Sequence, residues 1–425
     1  MRKFTILFLL CALLVSCGSE ELHYLPDETA AETEAENYPY TENSDRPISG
    51  APVTSLPWNL QYADGYLCIA SFGGMGIPSE ENSGLMYTLR RINPATGNIT
   101  DVCPDPLCAH NSADCPFYGL DSMPVGFADN KIFYRRRWIT HADGETGRVD
   151  YYSADVVFDT KTGKVTELKN LNGEGGGINS YLYTDTHRYW FDWTWDEAST
   201  ESGQYVMYRA AYDRLIPETV AEVSYEDAGF VGYADGTLYF TDGRMLYSTD
   251  ERYKNRRDIA EAPLTYGRHW FGGDSVYYAD AASRIFRILL ETGEITDMGF
   301  SAGELVITDS WIYYTSPEAV SLGKNRVYGM LGDEVTVTGE HIYRCAHNGT
   351  GTETVFSFDG GLYSTRFRSF TAVGNYLWGT YHRWDDADGD GIYRDGDHYE
   401  SSDDGHVLRI DVTTGEILEL STAEM

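Results

Sequence analysis

Carboxylates alternate with small residues at Asp386-Ala387-Asp388-Gly389-Asp390, and Gly391, Ile392 and Asp397 fall within the same twelve-residue stretch. Alternate aspartates on a curled loop converge their oxygens on one point, and Gly391 permits the sharp turn this requires. A hard divalent cation wants six to eight such oxygens, so the chemistry is that of a Ca²⁺ site held by Asp386, Asp388, Asp390, the Ile392 carbonyl and Asp397. The ion would order a long loop rather than catalyse. The competing reading is a solvated acidic insertion in an acidic chain.

A second cluster has softer chemistry. Cys103-Pro104-Asp105-Pro106-Leu107-Cys108-Ala109-His110 is followed by Cys115-Pro116, which puts three thiols and an imidazole within thirteen residues. Cys103, Cys108, His110 and Cys115 could close a tetrahedral zinc site, with the prolines stiffening the knuckle. Disulfides are the alternative, because an exported chain meets oxidising surroundings. Of the seven cysteines, Cys11 lies in the apolar N-terminal run and Cys17 just after it, and an odd set of five remains beyond them. At least one thiol is then unpaired, and zinc and disulfide both stay open.

Aromatic and basic residues gather where loops are expected: Arg136 and Trp138, Trp193 and Trp195, His382 and Trp384. Rings at a rim can stack on sugars, and guanidinium groups can meet carboxylate or sulfate. The alternative is packing between sheets. No nucleophile elbow, phosphate loop or His-Glu-x-x-His helix is present, so no catalytic residue is nominated.

The N-terminus carries Arg2-Lys3, then an apolar run from Phe4 to Val15 too short for a stable bilayer anchor. Its end, Leu14-Val15-Ser16-Cys17-Gly18, resembles the bacterial lipobox. That resemblance implies removal of residues 1–16, diacylation of Cys17 and an exported protein tethered to the outer side of the membrane through lipid alone. Residues 17–50 are polar and acidic and read as a tether, which leaves 51–425 for the folded domain. A formal charge of -34 argues against nucleic acid as partner and against adsorption on anionic lipid.

These sites need a scaffold, and its signature is repetition. Tight-turn pairs followed by apolar and aromatic residues recur at Asp64-Gly65, Asp129-Asn130, Asp185-Thr186, Asp235-Gly236, Asp274-Ser275, Asp309-Ser310 and Gly374-Asn375. Between them Tyr, Val, Ile, Phe and Thr alternate with polar residues, and no helical period persists beyond the leader. A unit that cannot bury its own apolar face must stack on neighbours. Each parses as four strands, A to D, with Gly97, Gly163, Gly293, Gly351 and Gly415 in C to D turns; units three and four have no such glycine.

Turns such as Asp159-Thr160-Lys161-Thr162-Gly163-Lys164 and Asp411-Val412-Thr413-Thr414-Gly415-Glu416 resemble those of quinoprotein-like and TolB-like β-propellers. The resemblance implies an all-β propeller, seven blades being favoured over six or eight. The Asp386 to Asp397 stretch resembles an EF-hand-type or dockerin-type loop, although Asp stands at its twelfth position and strands flank it.

In a meander blade, A to B and C to D turns share one face, while B to C loops and D to A connectors share the other. Long B to C segments are expected near 72–84, 139–147, 192–203, 316–339 and 381–405, with the cysteine knuckle on the same face. The stretch between Pro47 and Trp58 could supply a strand that seals the ring. The functional expectation is a surface module binding a protein or glycan on its loop-rich face, which points away from the lipid. Alternatives are a hydrolase or lyase acting on anionic glycans and a subunit of an envelope assembly complex.

Overall fold

Antiparallel meanders account for the alternating strands. The computed structural model describes residues 45–54, 60–63, 66–72, 87–105, 107–108, 114–120, 125–142, 149–168, 180–194, 204–214, 216–223, 229–264, 268–327, 330–359, 368–381, 384–385, 398–399 and 406–421. Every element of regular structure among them is a strand. The propeller lies within the unit Asn43–Met425.

The strands form seven four-stranded blades, as expected from the repeats. Blade 1 runs Gln61–Ala63, Tyr66–Phe72, Tyr87–Ile92, Ile99–Asp101, and blade 2 runs Gly126–Ala128, Lys131–Ala142, Val149–Asp159, Lys164–Glu167. Blade 3 comprises Ser180–Tyr183, His187–Thr194, Gln204–Ala211 and Glu218–Val223; blade 4 comprises Gly229–Ala234, Thr237–Thr241, Met245–Asp250 and Arg257–Glu261. Blade 5 is His269–Phe271, Ser275–Ala279, Arg284–Leu289 and Ile295–Ser301, and blade 6 is Leu305–Ile307, Ile312–Val327, Met330–Cys345 and Glu353–Asp359. Blade 7 closes the series with Arg368–Val373, Tyr376–Tyr381, His406–Asp411 and Ile417–Ser421. The A strands line the axis and touch one another from blade 2 through blade 7 and on to blade 1.

Burial happens between blades. Leu67, Ile69 and Ile92 of blade 1 pack on Val373, Trp378 and Val407 of blade 7, and Leu89 of blade 1 joins Ile132, Val156 and Phe158 of blade 2. Comparable cores occupy each remaining junction around the ring. One face of each sheet thus needs its neighbour's face, which is why the unit recurs.

The turns follow their chemistry. Asp129 and Asn130, and Asp235 and Gly236, hold positive φ, as two-residue hairpins require. All five C to D glycines do so as well, at φ between 69° for Gly163 and 77° for Gly97. Asp159 and Asp411 stabilise these turns by accepting from the amides two and three residues on. Blade 4, without the glycine, places Tyr253 and Asn255 at positive φ while Asp250 accepts from the Arg252 and Lys254 amides.

Ring closure departs from a sealing strand. Blade 7 is built from its own four strands, and closure comes from side chains: Trp378 Nε1 donates to the Pro94 carbonyl at 3.1 Å, and Arg409 donates to that of Ala95. The segment 45–54 is used otherwise. Asp45 receives the Gly374 amide at its carbonyl, and Asp309 N–H donates to Arg46 O, both in A to B turns of blades 7 and 6. Ile48 N–H donates to Ile307 O of blade 6, Gly50 O accepts from Tyr233 N–H of blade 4, and Val53–Thr54 pairs with Tyr181 and Ser180 on the axial edge of blade 3. From Asp45 to Thr54 the chain therefore passes from the tight-turn face across the inner strands to the axial edge of blade 3.

Candidate functional site

The face opposite the tight turns carries the elaborations. Blade 6 does not hold a loop at 316–339; its B and C strands stay paired out to Val327↔Met330, far beyond the three-residue A strand. The β-branched residues Val320, Val335, Thr336 and Val337 favour this extended hairpin. Blade 2 does the same out to Ala142↔Val149, and blade 3 out to Thr194↔Gln204. In blade 7 a separate rung, Trp384↔Tyr399 and Asp385↔His398, joins the two ends of the stretch expected to hold Ca²⁺. Asp386, Asp388, Asp390, Ile392 and Asp397 themselves lie outside the described residues, as do Cys17, His110, Trp195 and His382.

The knuckle occupies the connector between blades 1 and 2, on this same face. Cys103, Cys108 and Cys115 bring their sulfur atoms within 4.8 Å of one another, and none of the three is joined in a disulfide. Cys103 and Cys115 are buried and Cys108 is half-buried. Phe117 N–H points at Cys115 Sγ, 3.4 Å away. Burial pushes the Cys115 thiol up to about 12 and the Cys103 thiol in the same direction, while amides of Phe117 and Asp105 pull against burial. Beneath the thiols Val102, Phe117, Tyr118 and Leu120 join the core of blades 1 and 2.

Arg136, expected at a ligand rim, is buried and serves the knuckle instead. Its guanidinium donates to the Tyr118 carbonyl at 2.9 Å and the Cys115 carbonyl at 3.0 Å. Tyr134 Oη donates to the Pro116 carbonyl at 2.5 Å, and the Phe117 ring stacks on that of Tyr134. Blade 2 thus grips the connector through carbonyls flanking a cysteine. Of the remaining rim residues, Trp138 lies opposite Tyr152 and Trp193 opposite Tyr205 in the extended hairpins, and Trp384 lies in the rung.

One charged group escaped the sequence reading. Arg188 is buried between blades 2 and 3, its guanidinium 5.0 Å from the centre of the Phe133 ring and 4.8 Å from that of Trp190. Its position two residues before Trp190 puts both side chains on one face of the strand, and that alternation was the available signal.

No protein-family model matches the chain, and no curated protein matches it. Among solved structures, the computationally designed Ika8 protein is 12% identical with a TM-score of 0.43, each chain being covered to 89%. An oligogalacturonate lyase from Vibrio parahaemolyticus is 10% identical with a TM-score of 0.34, covering 88% of this chain and 79% of the other. An oligogalacturonate lyase in complex with manganese is 9% identical with a TM-score of 0.31, covering 88% and 85%. Likenesses this distant bear on neither substrate nor activity.

Proposed function

We propose that this chain is an exported β-propeller, anchored by lipid on Cys17, that offers the face with the extended hairpins to a protein or glycan partner. One observation carries the reading: the chain reaches the propeller at Asp45 on the tight-turn face, whereas the hairpins of blades 2, 3 and 6 project from the other. Entry at Asp45 favours the second face as the one that a partner would meet. Elaborated loops on one side of a rigid scaffold are the usual place for recognition. Calcium on Asp386, Asp388, Asp390, Ile392 and Asp397 would order the blade 7 insertion of that face, a role suggested by donor chemistry and by the rung that joins its ends.

The test combines anchoring with binding. Cys17→Ala should move the protein from the membrane fraction to the medium. Binding on an array of uronic-acid and sulfated glycans, or crosslinking to an envelope protein, should vanish when residues 319–337 are replaced by a two-residue turn. If trimming that hairpin leaves binding intact while substitutions at Lys161 and Thr162 on the tight-turn face abolish it, the assignment of faces is wrong.

A further inference from the structure

We infer that Cys103, Cys108 and Cys115 form a three-thiolate site for a thiophilic divalent cation, zinc foremost, which staples the connector between blades 1 and 2. Four-coordinate zinc with Zn–S bonds of about 2.3 Å holds its sulfurs about 3.8 Å apart. The three sulfurs already lie within 4.8 Å, so an ion draws each pair together by about 1 Å or less. A disulfide demands an S–S distance of about 2.05 Å, a larger movement that uses two sulfurs and leaves the third without a role.

The local backbone repeats itself at two of the three cysteines. Cys103 and Cys115 are each followed by proline, and in both cases the amide two residues on, from Asp105 and from Phe117, hydrogen-bonds to the sulfur. Proline fixes φ at the first position after the cysteine and carries no N–H of its own, so the next amide is the one turned toward the sulfur. Donors aimed at sulfur stabilise thiolate and tune it as a ligand. They do nothing comparable for a disulfide.

Charge and surroundings agree. Three thiolates and one Zn²⁺ leave a net charge of -1, and the buried Arg136 guanidinium sits against the Cys115 carbonyl to offset it. On binding, three S–H bonds are replaced by three S–Zn bonds, three protons pass to solvent, and the ion sheds waters, keeping its fourth position for water or a further donor. The connector gains a support it otherwise lacks: the described residues of 102–125 contain no strand, yet Val102, Phe117, Tyr118 and Leu120 must be held in the core.

The test uses purified full-length protein, reduced and stripped by chelator, then loaded with zinc or cobalt. The expected result is one ion per chain, a thiolate-to-cobalt charge-transfer band, and at least about a hundredfold weaker zinc binding in Cys108→Ser and Cys115→Ser. Cys68→Ser and Cys345→Ser should bind as the unaltered chain does. Cys108 is only half-buried, so Cys108→Ser should still melt cooperatively; in the unaltered chain, zinc should also protect Cys108 from alkylation. Absence of stoichiometric zinc, zinc binding unchanged in Cys108→Ser, no protection of Cys108, or a peptide map of the zinc-loaded protein linking two of the three cysteines would each overturn the assignment.

Discussion

Asp45 is the first of the described residues to meet the propeller, and its carboxylate is held in an unfavourable place. Burial raises its pKa above the usual 3.8 and the neighbouring Asp309 adds to the rise, while Thr308 Oγ1 at 2.7 Å and the Ser310 amide at 2.9 Å oppose it. The Tyr313 hydroxyl on the same blade senses this charge as well. Above the folded pKa both folded and unfolded states are charged, and only the folded one bears the desolvation cost. As pH falls through the folded pKa toward 3.8 the folded state takes up its proton first, so this residue adds stability on acidification. Asp45→Asn removes the charge and fits the site, since Thr308 Oγ1 can turn its proton to the Trp311 carbonyl at 3.1 Å and accept from the new amide. The variant should therefore be the more stable of the two at neutral pH, with its advantage shrinking as the pH drops into the Asp45 window. Denaturation midpoints of both proteins measured across that range check this; a difference that stays flat, or widens on acidification, refutes it. Sequence reasoning could not single out Asp45 among the acidic residues of the tether, because its distinction comes from partners more than 260 positions away. The thiols were different: three cysteines close in the chain are close in space whatever the fold.

Turns show how local chemistry becomes legible and where it stops. Gly97, Gly163, Gly293, Gly351 and Gly415 all adopt the positive φ anticipated from their place after the C strand, because the chain must pass through left-handed backbone there to rejoin the D strand, whatever lies around it. Their surroundings are not written in the motif. A Cβ on Gly163 would meet nothing within 4 Å, whereas one on Gly293 would meet the Ile259 carbonyl oxygen, in the D strand of blade 4, at 2.2 Å. Gly163→Ala should thus cost about 1–2 kcal/mol, the strain of left-handed backbone alone. Gly293→Ala should cost clearly more, because a backbone of the neighbouring blade must also shift. Urea denaturation of the two variants distinguishes the cases, and equal losses would mean that blade 4 yields freely. The outer strands add a regularity that the sequence hides: register shifts between C and D in blades 3 to 6, such as Met207/Tyr208 and Ile342/Tyr343. A bulge is one extra residue against a partner strand, so alternation within a single strand cannot announce it. Glycines and charges in the blade 6 hairpin resemble the punctuation of a loop, although backbone pairing runs through it as far as Val327↔Met330.

Closure is what turns seven meanders into one molecule, and here it rests on side chains. A ring sealed by exchange of a strand between its first and last blades would be locked by a ladder of backbone hydrogen bonds. This ring joins its ends through the packing of Leu67, Ile69 and Ile92 on Val373, Trp378 and Val407, together with two hydrogen bonds from blade 7 into the 93–96 turn. Repetition in the sequence shows that neighbours must pack, but it treats all junctions alike and so cannot reveal which one joins the two ends of the chain. The segment 45–54 reinforces the ring without sealing it, by contacting blades 7, 6, 4 and 3 in turn. Trp378 is then the residue whose loss should be felt throughout. It is fully buried, and its ring nitrogen satisfies the Pro94 carbonyl across the seam. Trp378→Ala removes the largest side chain of the junction and should cost about 3–5 kcal/mol. Trp378→Phe keeps most of the packing and loses the hydrogen bond, for about 1 kcal/mol. The second consequence separates closure from ordinary core damage. With the seam opened, blades 1 and 7 become ends, and amides of Tyr66–Phe72 and His406–Asp411 should exchange with solvent well before those of blade 4. Hydrogen exchange of Trp378→Ala under native conditions reads this directly. Uniform loss of protection around the ring would show instead that the propeller unfolds as one unit and that the seam has no special weakness.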